Sequence, residues 1–397
     1  MAGTIRRTQY LEMLHRGRGV TDVVKVVTGM RRSGKSTLLE QYASDLLESG
    51  VPKDAIVSIN FEDFEGRKIR NCEDLDAFVR KTIRSDRITH LFLDEIQNVE
   101  GWEKTVASAL NTKRCDLYIT GSNSKMLSSE LSTHIAGRYV EVKMLPLSFK
   151  EYLEMHPSSD REGRFGEYLR FGSLPEVDPS RGERFCDSQL EGIFNTVLVN
   201  DVLGRMGSSD SGKLKDIARF LYSNVGNLTN VDTVAKAAGV GNVTAGRYMR
   251  GLEEALLIYG AERYDIAGKR LLKTNGKYYA SDLGMRNFAL RGVGGTDISR
   301  PLENIVFLEL VRRGYLVRVG SFRDSEVDFT AFMDGRTEYY QVTLTMMADE
   351  TRARELRPLN GIRDNYRKTV LTMDRLGLGS ENGIDIVNVL DWLAGRQ

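Results

Sequence analysis

The sequence contains few cysteines, no long apolar run and almost no excess of charge of either sign. Its three cysteines, Cys72, Cys115 and Cys186, lie far apart, with no C-x-x-C pair and no paired histidines. That spacing argues against a structural zinc site and against a disulfide framework. No stretch approaches the roughly 18 apolar residues of a membrane-spanning helix, and the first residues lack the apolar segment of a secretory signal. We therefore expect a soluble cytoplasmic protein in a reducing environment, with no membrane partner.

The charge balance excludes a protein that is basic over its whole surface. Among 397 residues, 56 lysines and arginines are offset by 55 aspartates and glutamates, which gives a net charge of +1. A nucleic-acid partner would therefore have to be bound by a local basic patch. The apolar fraction of 41% and the charged fraction of 28% are ordinary for globular proteins. The length predicts about two to four domains.

The most informative stretch is residues 29–37, Gly-Met-Arg-Arg-Ser-Gly-Lys-Ser-Thr, which satisfies G-x-x-x-x-G-K-[ST]. An apolar run precedes it and helically spaced apolar residues follow it, so the context is strand, loop, helix. Such a loop wraps the phosphates of ATP with its N–H groups and a helix N-terminus. Lys35 should reach the β- and γ-phosphates, and the Ser36 hydroxyl should ligate Mg²⁺. The other loop residues predicted to bind nucleotide are Gly29, Arg31, Arg32, Ser33, Gly34 and Thr37.

Residues 1–150 alternate strand-like runs with helical segments, which predicts an α/β unit with a parallel sheet and helices on both faces. The third run ends in Asp94 and Glu95, which should lie beside the phosphate loop because carboxyl ends of parallel strands share one edge. We expect Asp94 to hold Mg²⁺ and Glu95 to polarise the attacking water. The alternative is a pair of surface acids that follow a strand. The five predicted strands are 23–28, 55–60, 89–93, 116–120 and 139–143.

Two further polar residues could complete the nucleotide site. Asn123 follows the fourth predicted strand and could sense the γ-phosphate, although a Gly-Ser-Asn loop is also an ordinary strand exit. Arg138 could stabilise transition-state charge, often on the nucleotide of a neighbouring subunit. Its alternative is a solvated surface arginine.

Four stretches together resemble the AAA-plus ATPases, in particular their archaeal-type branch: 29–37, 93–97, 119–124 and 137–149. The resemblance implies a doubly wound P-loop fold that binds ATP, hydrolyses it to ADP with Mg²⁺ and works as a homo-oligomer, such as a hexamer-type ring. The residues that fall on functional positions of that family are Lys35 and Ser36 (Walker A), Asp94 and Glu95 (Walker B), Asn123 (first sensor) and Arg138 (arginine finger).

Residues 151–280 predict two smaller regions. The range 151–212 resembles the helical lid of such ATPases, and its Gly- and Ser-rich end, 204–212, predicts a flexible connection. The range 213–280 has three short helices with a glycine turn before the third, then a hairpin, which is the layout of a winged helix-turn-helix. A purely structural or protein-contact role is the alternative to DNA binding. Cations predicted to be exposed on the third helix and hairpin are Arg247, Arg250, Arg263, Lys269, Arg270, Lys273 and Lys277; all except Arg263 and Lys277 form the predicted DNA-binding set.

Residues 281–397 predict a helix, three strands, a helix, two more strands and a terminal helix. That order resembles the α/β PD-(D/E)XK nuclease fold, in which acids and a lysine meet around Mg²⁺ to activate water. The resemblance makes Glu303, Asp328 and Gln341 the candidate metal ligands. However, Gln341 occupies the place of the second acid, and Thr343 that of the lysine, whose charge it cannot supply. We therefore expect a degenerate binding or structural domain.

Three functions are consistent with these features. The first is an oligomeric Mg²⁺-dependent ATPase whose hydrolysis is coupled to DNA binding or remodelling. The second is a nucleotide-gated switch that hydrolyses ATP slowly while it holds DNA or a partner protein. The third is an ATP-dependent nuclease, which the residues at 341 and 343 make the weakest of the three.

Overall fold

The computed structural model describes residues 4–123, 135–206, 210–291 and 298–396, and the side chains within them except those of Arg205, Lys273 and Thr274. The chain divides into two compact units. One takes the residues up to 144 together with 254–256, and the other takes 145–253 and the residues from 257 onward. Each unit has a β-sheet of its own.

The first unit is built on a parallel sheet of five strands within the described residues, in the order β2-β3-β4-β1-β5. Each strand agrees with a predicted strand to within one residue at either end. The predicted parallel α/β fold is therefore confirmed. The strands are β1 (Val24–Thr28), β2 (Ile56–Asn60), β3 (Thr89–Asp94), β4 (Cys115–Gly121) and β5 (Tyr139–Lys143).

Helices cover both faces of this sheet. Leu91 and Leu93 pack in one core cluster, whereas Phe92 packs in another, because successive side chains of a strand point to opposite faces. Helices α3 and α4 contribute to the first cluster, and α1 and α2 to the second. The helices are α1 (Thr8–Arg16), α2 (Lys35–Glu48), α3 (Cys72–Thr82) and α4 (Trp102–Thr112), with single 3-10 turns at Lys53–Ala55, Gly66–Lys68 and Ile96–Asn98.

The second unit begins with helices. After α7, a π-helical segment, Val197–Leu203, continues into a helical turn at Gly204–Met206, and α8 starts at Ser211, where the Asp210 carboxylate accepts from the Lys213 N–H. The flexible connection predicted over 204–212 is therefore wrong at both ends, and residues 207–209 lie outside the described residues. The helices are α5 (Phe149–Met155), α6 (Arg161–Phe171), α7 (Glu183–Thr196), α8 (Ser211–Ser223), α9 (Val231–Ala238), α10 (Asn242–Glu254), α11 (Leu283–Ala289), α12 (Ser299–Arg312), α13 (Asp349–Gly361) and α14 (Val389–Leu393), with a 3-10 turn at Pro179–Arg181.

One mixed sheet runs through most of the second unit. Its nine described strands have the order β13-β14-β12-β11-β10-β9-β7-β8-β6, and the hairpin predicted as a wing, β7–β8, joins the later strands through a parallel β7–β9 pair. The predicted boundary at 280 thus falls within a continuous sheet. The strands are β6 (Leu228–Thr229), β7 (Ile258–Asp265), β8 (Arg270–Ala280), β9 (Leu316–Phe322), β10 (Ser325–Met333), β11 (Arg336–Thr343), β12 (Arg367–Thr372), β13 (Gly379–Glu381) and β14 (Ile384–Asn388).

The turn between β7 and β8 is anchored in the core of this unit. Ile266 is 6% exposed and packs in one cluster with Val327 and Tyr339. Its N–H also donates to the Ser321 carbonyl at 2.9 Å. The tip of the predicted wing is therefore fixed to the rest of the sheet.

None of the helices in the described ranges is long and apolar enough to cross a lipid bilayer.

Candidate functional site

The phosphate loop lies between the end of β1 and the first turn of α2, and two of its glycines are required by the backbone. Gly34 has φ +97°, in the left-handed region that side chains disfavour. A Cβ built on Gly29 would lie 2.6 Å from the Met144 carbonyl oxygen and 2.8 Å from Ser33 Oγ. Both positions are therefore closed to larger residues.

Ser33 supplies a buried hydroxyl inside this loop. Its residue is fully buried, and Oγ has no hydrogen-bond partner among the described residues. Arg7 holds the loop from behind, since its Nη1 donates to the Ser33 carbonyl at 3.2 Å. A buried polar atom without a partner is costly, and a phosphate oxygen in the loop would satisfy it. The residues present thus fit a bound phosphate.

Asp94 and Ser36 meet at the carboxyl edge of the sheet. The Asp94 carboxylate accepts hydrogen bonds from the Ser36 and Thr120 hydroxyls and from Asn60 Nδ2, the last at 2.8 Å. Burial raises the pKa of Asp94 above its usual value, although the two hydroxyls oppose that shift. A divalent cation would relieve the cost of this buried charge. A hydroxyl and a carboxylate are oxygen ligands that Mg²⁺ accepts.

Lys35 and Glu95 form an ion pair beside them. Lys35 Nζ lies 3.3 Å from Glu95 Oε1, and it also donates to the carbonyls of Gly29 at 3.1 Å and Met30 at 3.3 Å. Burial would raise the pKa of Glu95, but the Lys35 charge and a hydrogen bond from Gln97 hold it below its usual value. Glu95 is therefore an ionised carboxylate in a buried site, as a general base must be.

Two residues of this site had no predicted role. Gln97 Nε2 donates to Glu95 Oε2 at 2.5 Å and lies 3.5 Å from Ser122 Oγ. Asn60, at the end of β2, pairs in register with Asp94. Asn60 and Gln97 are polar residues at or just after the end of a strand, and that position could have marked them as site residues. Spacing in the sequence does not indicate which carboxylate each of them contacts.

The remaining predicted residues of the first unit have varied positions. Arg31 forms an ion pair with Glu62 at 2.8 Å, and Arg32 is exposed with φ +69°. Thr37 lies in the first turn of α2, and Asn123 is buried just after β4. All four follow the carboxyl ends of strands, on the side of the phosphate loop.

Arg138 lies at the opposite edge of the sheet. It comes just before β5, and the first residue of β5, Tyr139, pairs with Val24 at the start of β1. The phosphate loop follows the other end of these two parallel strands, where Thr28 pairs with Lys143. Its Nη1 donates to Asn111 Oδ1 at 3.2 Å. The structure therefore does not bring Arg138 together with the phosphate loop of its own chain.

The predicted DNA-binding cations of the second unit fall into two groups. Arg247 and Arg250 are exposed on α10, and Lys269 and Arg270 are exposed in the anchored turn. The side chain of Lys273 lies outside the described residues. Arg270 lies 3.5 Å from the Asp265 carboxylate, so part of its charge is already neutralised.

Lys277 was predicted to be exposed, and this is wrong. It is 1% exposed, and its Nζ lies 2.9 Å from Glu303 Oε1, 2.7 Å from Glu326 Oε1 and 4.0 Å from Asp328 Oδ1. Burial opposes its charge, but the three carboxylates together raise the pKa of Lys277. The side chain of Lys277 points from β8 toward the face of the sheet that α12 covers. The residue types of the hairpin do not indicate on which face a side chain lies.

The candidate ligands Glu303 and Asp328 therefore surround an ammonium group. Gln341 is adjacent: its Oε1 accepts from the Asp328 N–H at 3.3 Å, and its Nε2 donates to Glu355 at 3.1 Å. Within the described ranges, no three or more His, Cys, Asp or Glu side chains are arranged to hold a metal ion.

The fold and the first site together define a P-loop nucleotide-binding protein. Residues 21–153 match the family model of an AAA domain, and residues 162–297 match a domain of unknown function (DUF8612). An uncharacterized protein of Haemophilus influenzae is 38% identical, over 98% of this chain and 98% of its own. An uncharacterized protein of Methanocaldococcus jannaschii is 27% identical, over 94% of this chain and 88% of its own. Among solved structures, AMPPCP-bound DnaA from Aquifex aeolicus covers 62% of this chain and 86% of its own, at 15% identity and a TM-score of 0.33.

The chain belongs to the same family as the uncharacterized Haemophilus influenzae protein, and its residues 21–153 match an AAA domain. The AAA domain and the phosphate-loop site together indicate nucleotide binding and hydrolysis.

Proposed function

We propose that this protein is a Mg²⁺-dependent ATPase that works as a homo-oligomer and couples hydrolysis to DNA binding. One observation carries the ATPase activity. Lys35, Ser36, Asp94 and Glu95 meet at the carboxyl ends of β1 and β3, with Ser36 bonded to Asp94 and Lys35 paired with Glu95. This is the set of groups that phosphoryl transfer to water requires.

Each residue has a distinct role in this proposal. The loop N–H groups, the Ser33 hydroxyl and Lys35 hold the phosphates, and Ser36 and Asp94 would hold Mg²⁺. When bound there, the cation would supply positive charge that neutralises the phosphates. Glu95 accepts a proton from the attacking water, and Gln97 keeps its carboxylate in place.

The Lys35–Glu95 ion pair links ATP binding to release of the base. A triphosphate carries more negative charge than one carboxylate, so it outcompetes Glu95 for the Lys35 ammonium. Glu95 Oε1 is then free to accept a proton, while Oε2 keeps its hydrogen bond from Gln97. The base becomes available only when substrate is present.

The test compares two variants. Lys35→Ala should lose ATP binding, whereas Glu95→Gln should bind ATP and turn it over at least about 100-fold more slowly, the usual range for loss of a general base. Binding is measured by calorimetry and turnover by phosphate release. Hydrolysis by Glu95→Gln at the wild-type rate would remove Glu95 as the base.

A nucleotide-gated switch is the second candidate: if Lys35 keeps its contact with Glu95 after ATP binds, the base stays neutralised and turnover is slow. Turnover measured without DNA, with single strands and with duplex separates the two functions. Many-fold stimulation of turnover by DNA supports the coupled ATPase. Slow turnover that DNA does not stimulate supports the switch.

The exposed cations support the DNA-binding part of the proposal. Arg247, Arg250, Lys269 and Arg270 offer phosphate contacts on α10 and the anchored turn, with Lys273 added by its sequence position. Retardation of a duplex across a salt series tests this. Charge reversal at Lys269 and Arg270 should reduce the salt slope, and unchanged affinity would remove the duplex contact.

In this proposal Arg138 acts on the nucleotide of a neighbouring chain, because it lies at the edge opposite its own phosphate loop. Lys35→Ala and Arg138→Ala should each be inactive, and mixing them should restore part of the turnover, since one pairing contains both intact groups. Mixtures that stay inactive although mass measurements detect mixed oligomers would contradict this role.

A further inference from the structure

The second unit contains a cavity of about 430 Å³ that none of the groups above uses. It lies beside the turn between β7 and β8, and that volume falls within the range of small-molecule sites. The residues that give it its chemistry are three tyrosines, a cation and two polar groups: Tyr264, Tyr339, Tyr366, Lys269, Asp364 and Asn365.

The aromatic wall is partly fixed and partly open. Tyr339 is 3% exposed, and its hydroxyl donates to Asp364 Oδ2 at 2.8 Å. Tyr366 is 44% exposed, with its ring centroid 6.3 Å from that of Tyr339. An exposed ring beside a rigid one offers a free π-face to a planar ligand.

Lys269 has a fixed place at this cavity. Ile266, three residues earlier, is held in the core, and Gly268 N–H donates to Asp265 Oδ1 at 2.9 Å, which closes the turn. The Lys269 ammonium is exposed and makes the cavity a site for an anionic group next to an aromatic wall.

A cationic ligand fits this cavity poorly. Aromatic cages that bind cations use a carboxylate with free capacity. Here Asp364 already accepts from the Tyr339 hydroxyl and from the Tyr366 N–H at 3.2 Å, and Lys368 Nζ is 3.9 Å away. Lys269 would also repel a cation. A planar ring that carries a phosphate suits the remaining groups.

We infer that this cavity binds a nucleotide unit: the base stacks on Tyr366, polar edges of the base meet Asn365, and the phosphate pairs with Lys269. A tyrosine ring can stack on any of the bases, but the base must be unpaired for its face to be accessible. The occupant is therefore an unpaired nucleotide, either free or within a single strand. The inference extends the proposed DNA binding, with which it shares Lys269.

Fluorescence anisotropy of a short labelled oligo(dT), without ATP, tests this on the full-length protein. Tyr366→Ala should weaken binding by about tenfold or more, the effect of losing one stacked base. Tyr366→Phe, which keeps the ring, should bind as the wild type does. Lys269→Ala should weaken binding and lower the salt slope by about one phosphate contact. Arg184→Ala, at an exposed arginine of α7 outside the proposed DNA-binding set, is the control and should leave oligo(dT) affinity unchanged.

Three results would overturn the inference: no oligo(dT) binding by the wild type, wild-type affinity in Tyr366→Ala, or equal losses in Tyr366→Ala and Tyr366→Phe. Circular dichroism melts check that each variant is folded. A substitution at an exposed side chain should change stability little. Competition by dTMP identifies a free nucleotide as the occupant, and failure to compete identifies a strand; both support the site. A hairpin duplex separates the two proposals, because binding of oligo(dT) without binding of duplex removes only the duplex contact.

Discussion

Lys35 of the first unit and Lys277 of the second are both buried beside carboxylates, and their charges are balanced in different ways. Lys35, 4% exposed, contacts two backbone carbonyls and the single carboxylate of Glu95. Lys277, 1% exposed, has Glu303, Glu326 and Asp328 around it.

The difference separates a lysine that can exchange its partner from one that cannot. Carbonyl dipoles satisfy the hydrogen bonds of Lys35 without neutralising it, so an incoming anion gains a full charge interaction. Lys277 is already paired with Glu303 at 2.9 Å and with Glu326 at 2.7 Å, so an incoming anion would have to displace two carboxylates. In the proposed function, the same residue type thus serves ligand binding in one unit and internal charge balance in the other.

The largest expected effect is the loss of ATP binding on removal of Lys35. Lys35→Ala should abolish detectable binding, whereas Lys277→Met should bind ATP with wild-type affinity, as measured by calorimetry. Lys35→Ala should also melt below the wild type, because the buried Glu95 loses its charge partner and keeps only the hydrogen bond from Gln97. Equal ATP affinities in Lys35→Ala and Lys277→Met would contradict the proposed difference between the two lysines.

Removal of Lys277 should instead destabilise the second unit. Lys277→Met leaves three carboxylates without their shared cation, and loss of one partner from a buried charge cluster costs about 3–5 kcal/mol. Native-state hydrogen exchange of β8 and β10 amides measures this locally. Lys269→Met, in the exposed turn, is the matched control, with an expected change of about 0.5 kcal/mol or less.

The same exchange measurement can contradict the internal role of Lys277. If Mn²⁺ without nucleotide protected β8 and β10 in the wild type, the cluster would hold a metal despite the ammonium. We expect Mn²⁺ to protect these strands only in Lys277→Met.

A smaller effect is expected at Gln97. Gln97→Ala removes a hydrogen bond that holds the base, so kcat should fall by about tenfold while ATP affinity changes by less than about twofold. Gln97→Glu should be slower still, because a second carboxylate would repel Glu95. Asn98→Ala changes the exposed neighbouring residue and should have wild-type kcat and KM. A rise in KM at constant kcat in Gln97→Ala would place Gln97 in substrate binding instead.

A further expected effect is a pH dependence from Asp328. Burial and the nearby Glu303 raise the pKa of Asp328 to about 8, although Lys277 opposes the shift. A carboxyl group with a raised folded-state pKa contributes stability that is present at acid pH and lost as pH rises through that value. From about pH 4 to 8, between the usual and the raised pKa, wild-type β10 amides should therefore lose more protection than those of Asp328→Asn, whose amide does not titrate. Parallel pH curves would contradict the shift.

Much of the fold could be predicted because its signals are local. The strands of the first sheet are short apolar runs between helical stretches, and all five lie where predicted. The contacts of Lys35, Ser36, Asp94 and Glu95 follow from one loop and one strand end at the same edge.

The missed features depend on residues distant in sequence. Lys269 and Lys277 belong to one basic hairpin, yet only Lys277 meets α12 and β10, which follow later in the chain. The edge on which Arg138 lies is set by the register of β5 with β1. Local pattern predicts that a side chain is charged but not which distant element faces it.

During synthesis, the two sheets can close at very different times. The first is complete once β5 ends at Lys143, less than halfway along the chain. In the second, β7 ends at Asp265 and cannot pair with β9 until Phe322 has been made, and β14 ends only at Asn388. An unpaired strand edge can associate with other chains. We therefore expect fragments that end between these strands to aggregate, and the second unit to reach its native state only after Asn388 has been made.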